Sequence, residues 1–176
     1  MVHPTEEAHA RMTAIASQDD PTGEIHILLA EDNEDHAFLT MAALKDAQRE
    51  IADQIVVTVV GDGDEALRYL RQEGEHAGAK RPDLVLLDIQ LPGADGIEVL
   101  RSTKADPALR LIPVIMLTTS AHDQDVLTSY GLGASEYVTK PVSSAEFRTK
   151  VQAIPAYWSK VVTRPPRHAV PSSAAE

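Results

Sequence analysis

Five short apolar runs, each separated from the next by a longer amphipathic stretch, constrain this chain more than any other feature: IHILLA, IVVTVV, LVLLD, PVIMLT and EYVTK, the first starting at Ile25. Continuous rather than alternating apolar residues describe strands buried on both faces. Helices on each side of a parallel sheet provide that environment. The pattern therefore predicts an α/β fold with five strands and five helices. A length of 176 residues with 43% hydrophobic composition holds one domain's worth of core. Residues 1–23 are polar, end in the turn-forming cluster Asp19-Asp20-Pro21-Thr22-Gly23, and read as a flexible tail. The folded domain is expected to span 24–163. The Pro-, Ser- and Ala-rich segment 164–176 reads as a second tail, too short for an output domain.

Helix boundaries carry their own chemistry. Asp95 with Glu98, and Ser143 with Glu146, fit the capping pattern in which side-chain oxygens satisfy orphan backbone N–H groups, so helices should start near 96 and 144. Gly61-Asp62-Gly63 marks a turn before EALRYLRQEG, and Gly74 to Pro82 reads as a surface loop.

Charge narrows the partners. Acids outnumber bases 27 to 16, for a net charge of -11, which argues against a nucleic-acid or anionic-membrane surface and points to proteins or cations. Zero cysteines exclude disulfides, thiolate zinc sites and thiol catalysis. The N-terminus lacks the apolar core of a signal peptide, and no run approaches ~18 apolar residues, so a soluble cytoplasmic protein is expected.

In an open parallel sheet, ligands bind beyond the carboxyl ends of the strands where the strand order reverses. Glu31-Asp32 close the first run, Asp88 the third, Thr118 the fourth and Lys140 the fifth, so one crevice can receive them all. Three carboxylates suit Mg²⁺, which takes oxygen ligands and keeps several waters. Asp32 and Asp88 are the expected direct ligands, with Glu31 acting through a water and the Gln90 backbone carbonyl as a further oxygen. Phosphoryl transfer needs positioning and charge neutralisation. Asp88 would be the attacking carboxylate, Lys140 a neutralising cation and Thr118 a hydrogen-bond donor to a phosphoryl oxygen.

Taken singly, each residue has a plainer explanation. A strand-end acid is commonly a solvated or helix-capping residue, Thr118 a strand threonine, and Lys140-Pro141 an exposed turn. The combination is what carries weight. The seven histidines show no metal-ligand spacing, and His26, His36 and His122 are assigned no catalytic role. Two other functions compete. An aspartate-nucleophile phosphatase of the haloacid-dehalogenase type wants a second aspartate two residues after the nucleophile, where this chain has Gln90. A flavodoxin-like FMN carrier needs a Gly- and Ser/Thr-rich phosphate cradle, where this chain has AEDNED.

With the acid pair, Asp88, Thr118 and Lys140-Pro141 in this order, the chain resembles the receiver domain of two-component response regulators. The resemblance implies a doubly wound, flavodoxin-like sheet of order 2-1-3-4-5. It also implies a phosphoryl group accepted on Asp88 from a phosphohistidine, a cis peptide commonly following the lysine, and Tyr137 as a switch aromatic that moves inward when Thr118 is drawn to the phosphate. EDNEDHAFL, LRYLRQEGEHAGAKRPDLVLLDIQLPGADG, PVIMLTTSAHDQDV and AYWSKVVTRPP are similar to small phytochrome-associated response regulators. The implied donor is a bacteriophytochrome histidine kinase, although a related kinase with another sensor would leave the same signature. Signalling by protein contact is expected, with a phosphorelay intermediate as the alternative output.

Phe147, Val151, Ile154, Trp158 and Val161 recur at spacings of four and three, the pattern of a helix seam. Beyond Ile154 the helix is expected to outrun the sheet and expose Tyr157, Trp158 and Val161, while Pro155 bends or breaks it. A homodimer through this helix and the neighbouring fourth-helix and fifth-strand surface is the expected assembly.

Overall fold

The computed structural model describes residues 23–120 and 122–160. The strands are β1 (Glu24–Ala30), β2 (Gln54–Val60), β3 (Leu84–Leu87), β4 (Val114–Thr118) and β5 (Glu136–Thr139), and the α-helices are α1 (Glu34–Ala47), α2 (Gly63–Arg71), α3 (Gly96–Ala105), α4 (Asp123–Gly131) and α5 (Ser144–Lys160). All pairings are parallel, and the order is β2-β1-β3-β4-β5. This is the expected doubly wound sheet.

The apolar runs form the strands because each strand face meets its own core. Leu28, Ala30, Val85, Leu87, Val114 and Met116 pack on one side with residues of α2 and α3. Ile27, Leu29, Leu84, Leu86, Ile115 and Leu117 pack on the other with Ala43 and Leu44 of α1 and Phe147, Val151 and Ile154 of α5. β3 and β4 are buried throughout, whereas the edge strand β5 is half-buried along its length. No helix among the described residues is long and apolar enough to cross a membrane.

The helices start where short polar side chains accept orphan N–H groups. Asp95 Oδ1 accepts from Glu98 N at 2.8 Å and Ser143 Oγ from Glu146 N at 3.4 Å, consistent with starts at Gly96 and Ser144. Two further caps were not anticipated: Asn33 Oδ1 accepts from His36 N at 3.0 Å, and Asp62 Oδ1 from Glu65 N at 2.6 Å. The loop after α2 contains a short 3-10 turn, Gly74–His76.

Three expectations are corrected. α5 continues through Pro155 to Lys160 without a break, and both Ile154 and Pro155 are buried. Trp158 is half-buried against the α1/α5 core rather than free, leaving Tyr157 as the more exposed aromatic. The Lys140–Pro141 peptide is trans, unlike the implied cis bond. Val161 lies outside the described residues.

Candidate functional site

The register brings the acidic positions to one level. Ala30 pairs with Leu87, and each chain continues one step: Asp88 N donates to Ala30 O at 3.0 Å, and Glu31 N to Val60 O at 3.0 Å. Lys140 N donates to Thr118 O at 2.7 Å just beyond β5. Each of these residues is held by ladder hydrogen bonds rather than by a free loop. Strand alternation then decides the faces. Glu31 continues Ile27 and Leu29, Asp88 continues Leu84 and Leu86, and Lys140 continues Val138, so all three point to the α1/α5 side. Thr118 continues Val114 and Met116 on the opposite side. Asp32, one residue past Glu31, is exposed.

The structure therefore joins Glu31, Asp88 and Lys140 directly. Lys140 Nζ donates to Asp88 Oδ2 at 2.5 Å and to Glu31 Oε2, with side chains 4%, 6% and 1% exposed for Lys140, Asp88 and Glu31. Buried carboxylates are costly unless paired, and one ammonium between two of them supplies the pairing. Burial pushes the Glu31 carboxyl above its ordinary pKa, against the lowering effect of the Lys140 hydrogen bond and charge. Asp88 Oδ1 accepts from Gln90 N at 3.2 Å, while the Gln90 side chain is exposed.

A histidine that the sequence gave no reason to include completes this cluster. His36 Nδ1 is 3.5 Å from Lys140 Nζ and 3.3 Å from Glu31 Oε1. The second contact is not aligned as a hydrogen bond, and Glu31 Oε1 is a buried oxygen without a hydrogen-bond partner. The Asn33 cap starts α1 three residues earlier and so sets His36 in the first turn, over the strand end.

Thr118 is fully buried, and its hydroxyl accepts from Ser120 N at 3.2 Å. Ser120 in turn ties together the loop after β4: its Oγ donates to Asp125 Oδ2 at 2.5 Å, and its carbonyl accepts the Tyr137 hydroxyl at 2.9 Å. Thr118 and Tyr137 are thus linked through Ser120. Burial pushes the Tyr137 phenol above its ordinary pKa. Tyr137→Phe is expected to cost about 1 kcal/mol and to speed hydrogen exchange in the Ser120 loop. Unchanged exchange there would contradict a tethering role.

In a doubly wound sheet of this order ligands bind beyond the carboxyl ends of the strands, and the described strand-end cluster sits in that place. The response regulator receiver domain family matches residues 27–152. The chain belongs to that family. It is similar to response regulator Rcp1 of Synechocystis sp., with 39% identity over 139 residues that cover 79% of this chain and 92% of Rcp1. The Mn²⁺-bound structure of Rcp1 superposes with a TM-score of 0.75 at 38% identity, covering 80% of this chain and 99% of that one. The phosphorylated cyanobacterial phytochrome response regulator RcpA gives a TM-score of 0.76 at 42% identity, covering 81% and 99%. The receiver domain of the sensor histidine kinase PA1611 of Pseudomonas aeruginosa, with magnesium in its active-site cleft, gives 0.56 at 31% identity, covering 74% and 96%.

The donor set fits a divalent cation: carboxylates from Glu31, Asp32 and Asp88 lie at adjoining strand ends, and Glu31 Oε1 is a buried oxygen lacking a partner. Relatives with this fold hold Mn²⁺ or Mg²⁺.

Proposed function

We propose that this protein is a phosphorylation switch that accepts a phosphoryl group on Asp88 from a sensor histidine kinase and signals by protein contact. The observation that carries the reading is the buried Asp88 carboxylate with its Oδ2 on Lys140 Nζ at 2.5 Å at the head of a parallel sheet. Asp88 attacks the phosphorus in line, the P–N bond to the kinase histidine breaks, and the imidazole leaves with the electron pair. Lys140 shifts its ammonium onto a phosphoryl oxygen as the Asp88 charge moves there. Asp32, Asp88, Glu31 and the Gln90 backbone carbonyl are the oxygens that would hold Mg²⁺. When bound, Mg²⁺ neutralises charge that would otherwise oppose the transfer. Thr118 turns its hydroxyl from Ser120 N to a phosphoryl oxygen, and the Ser120 link passes that movement to Tyr137 and α4.

The donor is a bacteriophytochrome kinase, a reading supported by the similarity to Rcp1 and RcpA. A kinase core carrying labelled phosphohistidine should transfer label to wild type within seconds to minutes and none to Asp88→Asn. Equal transfer to Asp88→Asn would overturn the assignment. A bacteriophytochrome kinase should transfer faster than other histidine kinases, and no preference would remove the pathway reading.

The same protein forms a homodimer through α4, β5 and α5. Leu127 and Tyr130 of α4 and Tyr157 of α5 are exposed apolar side chains. A cavity of about 540 Å³ between β5 and α5, lined by Tyr137, Ile154, Tyr157 and Trp158 among others, adds relief to that face. Trp158 Nε1, on the same face, is a buried donor without a partner. Sedimentation should give a dimer at micromolar concentration that Trp158→Ala weakens; a monomer throughout would refute it.

A further inference from the structure

We infer that Glu31, His36 and Asp88 form a second, nitrogen-containing cation site that takes Zn²⁺ and related transition metals in preference to Mg²⁺. The ligand atoms of the three residues lie within 4.8 Å of one another. Bonds of ~2.1 Å at tetrahedral angles separate neighbouring ligand atoms by roughly 3.4 Å. His36 Nδ1 and Glu31 Oε1 are 3.3 Å apart. Glu31 Oε1 is buried and lacks a hydrogen-bond partner, so a bond there displaces nothing. The Glu31 side chain is 1% exposed and is held toward the cluster by its hydrogen bond from Lys140 Nζ.

The ammonium of Lys140 marks where a cation is favoured. It touches the same three residues: Asp88 Oδ2 at 2.5 Å, Glu31 Oε2, and His36 Nδ1 at 3.5 Å. A neutral imidazole can offer Nδ1 as a metal ligand, and Nδ1 of His36 faces both the Lys140 ammonium and the Glu31 Oε1 oxygen. Imidazole suits Zn²⁺, Cu²⁺ and Ni²⁺, whereas Mg²⁺ prefers oxygen alone. The oxygen set built around exposed Asp32 and the set built around His36 share Glu31 and Asp88, so only one can be filled. A transition metal held by Glu31, His36 and Asp88 takes the carboxylate oxygen needed for phosphorylation and displaces Lys140. Transition metals then act as inhibitors of the switch. That consequence rests on Asp88 being the phosphoacceptor; the binding site does not.

Calorimetric titration of the full chain with Zn²⁺ tests the site. His36→Asn, at a half-exposed position, should weaken the tightest Zn²⁺ site by about tenfold or more. Asp32→Asn should leave that site within about twofold. His76→Asn serves as a control, because Glu65, Glu75 and His76 form another group of potential ligands on the described surface. Unchanged affinity in His36→Asn, or loss of the tight site in His76→Asn instead, would overturn the proposal. In a parallel assay, Zn²⁺ should block Mg²⁺-dependent labelling by acetyl phosphate in wild type and not in His36→Asn. If wild type is never labelled, the phosphoacceptor reading fails while the titration still decides the metal site.

Discussion

Lys140→Met is expected to lower folding stability at pH 7, in the presence of a chelator, by about 3–5 kcal/mol, the cost of leaving buried charge uncompensated. Glu31 and Asp88 are both on the Lys140 ammonium, and their side chains are 1% and 6% exposed. Methionine keeps the stem's volume and removes only the charge. Against a typical total of about 5–15 kcal/mol, the loss is large. Its pH dependence has a definite sign. Burial holds the Glu31 pKa above the ordinary glutamate value of 4.5 in the folded protein. The folded state then binds the proton more tightly than the unfolded state, so stability falls as pH rises from about 4.5 through the raised pKa. Removing Lys140 raises that pKa further, and acidification toward pH 5 should recover part of the loss. Urea unfolding at both pH values measures it. A difference under about 1 kcal/mol at pH 7, or one that grows on acidification, would contradict the pairing.

Gly96→Ala should damage both stability and phosphorylation. A Cβ at this position would lie 2.0 Å from the Asp88 carbonyl oxygen and 2.8 Å from Ile89 Cα, both backbone atoms that no rotamer change can move aside. Gly96 N also donates to Ile89 O at 2.9 Å, closing the loop between Asp88 and the start of α3. Overpacking of this kind costs about 3 kcal/mol. Because the displaced backbone carries Asp88, the labelling rate should fall by about a hundredfold in protein that remains folded. Urea unfolding combined with initial labelling rates separates the two effects, and a folded variant that labels at the wild-type rate would contradict the link between this glycine and the site.

Much of this was legible in the sequence because the signals were local or periodic. The apolar runs marked strands of a parallel sheet buried on both faces, whereas the order of those strands came only from the resemblance to receiver domains. Asp95 and Ser143 announced two helix starts through capping chemistry. Asp88 and Lys140 were readable because strand ends converge on one edge of such a sheet. Other features depend on geometry that spacing alone does not reveal. Glu31 and Asp32 are adjacent, and which one turns toward Asp88 depends on a one-residue phase of the strand; the structure turns Glu31 inward. Thr118 ends its strand on the opposite face for the same reason. His36 became visible only once Asn33 was known to cap α1, since a histidine in that first turn lies over the strand end. The Ser120 link to Asp125 and Tyr137 depends on a loop path without period. Pro155 was a local signal overridden by tertiary packing, because the buried Val151 and Ile154 before it and the half-buried Ala156 and Trp158 after it hold the helix against the core.

Treating wild-type protein with acetyl phosphate and Mg²⁺, reducing the acyl phosphate with borohydride and mapping the modified peptide tests the central claim most directly. One residue, Asp88, should be converted to homoserine, with none formed at Glu31 or Asp32. Modification at another carboxylate, or phosphate resting on a serine, threonine or histidine with Asp88 intact, would contradict it.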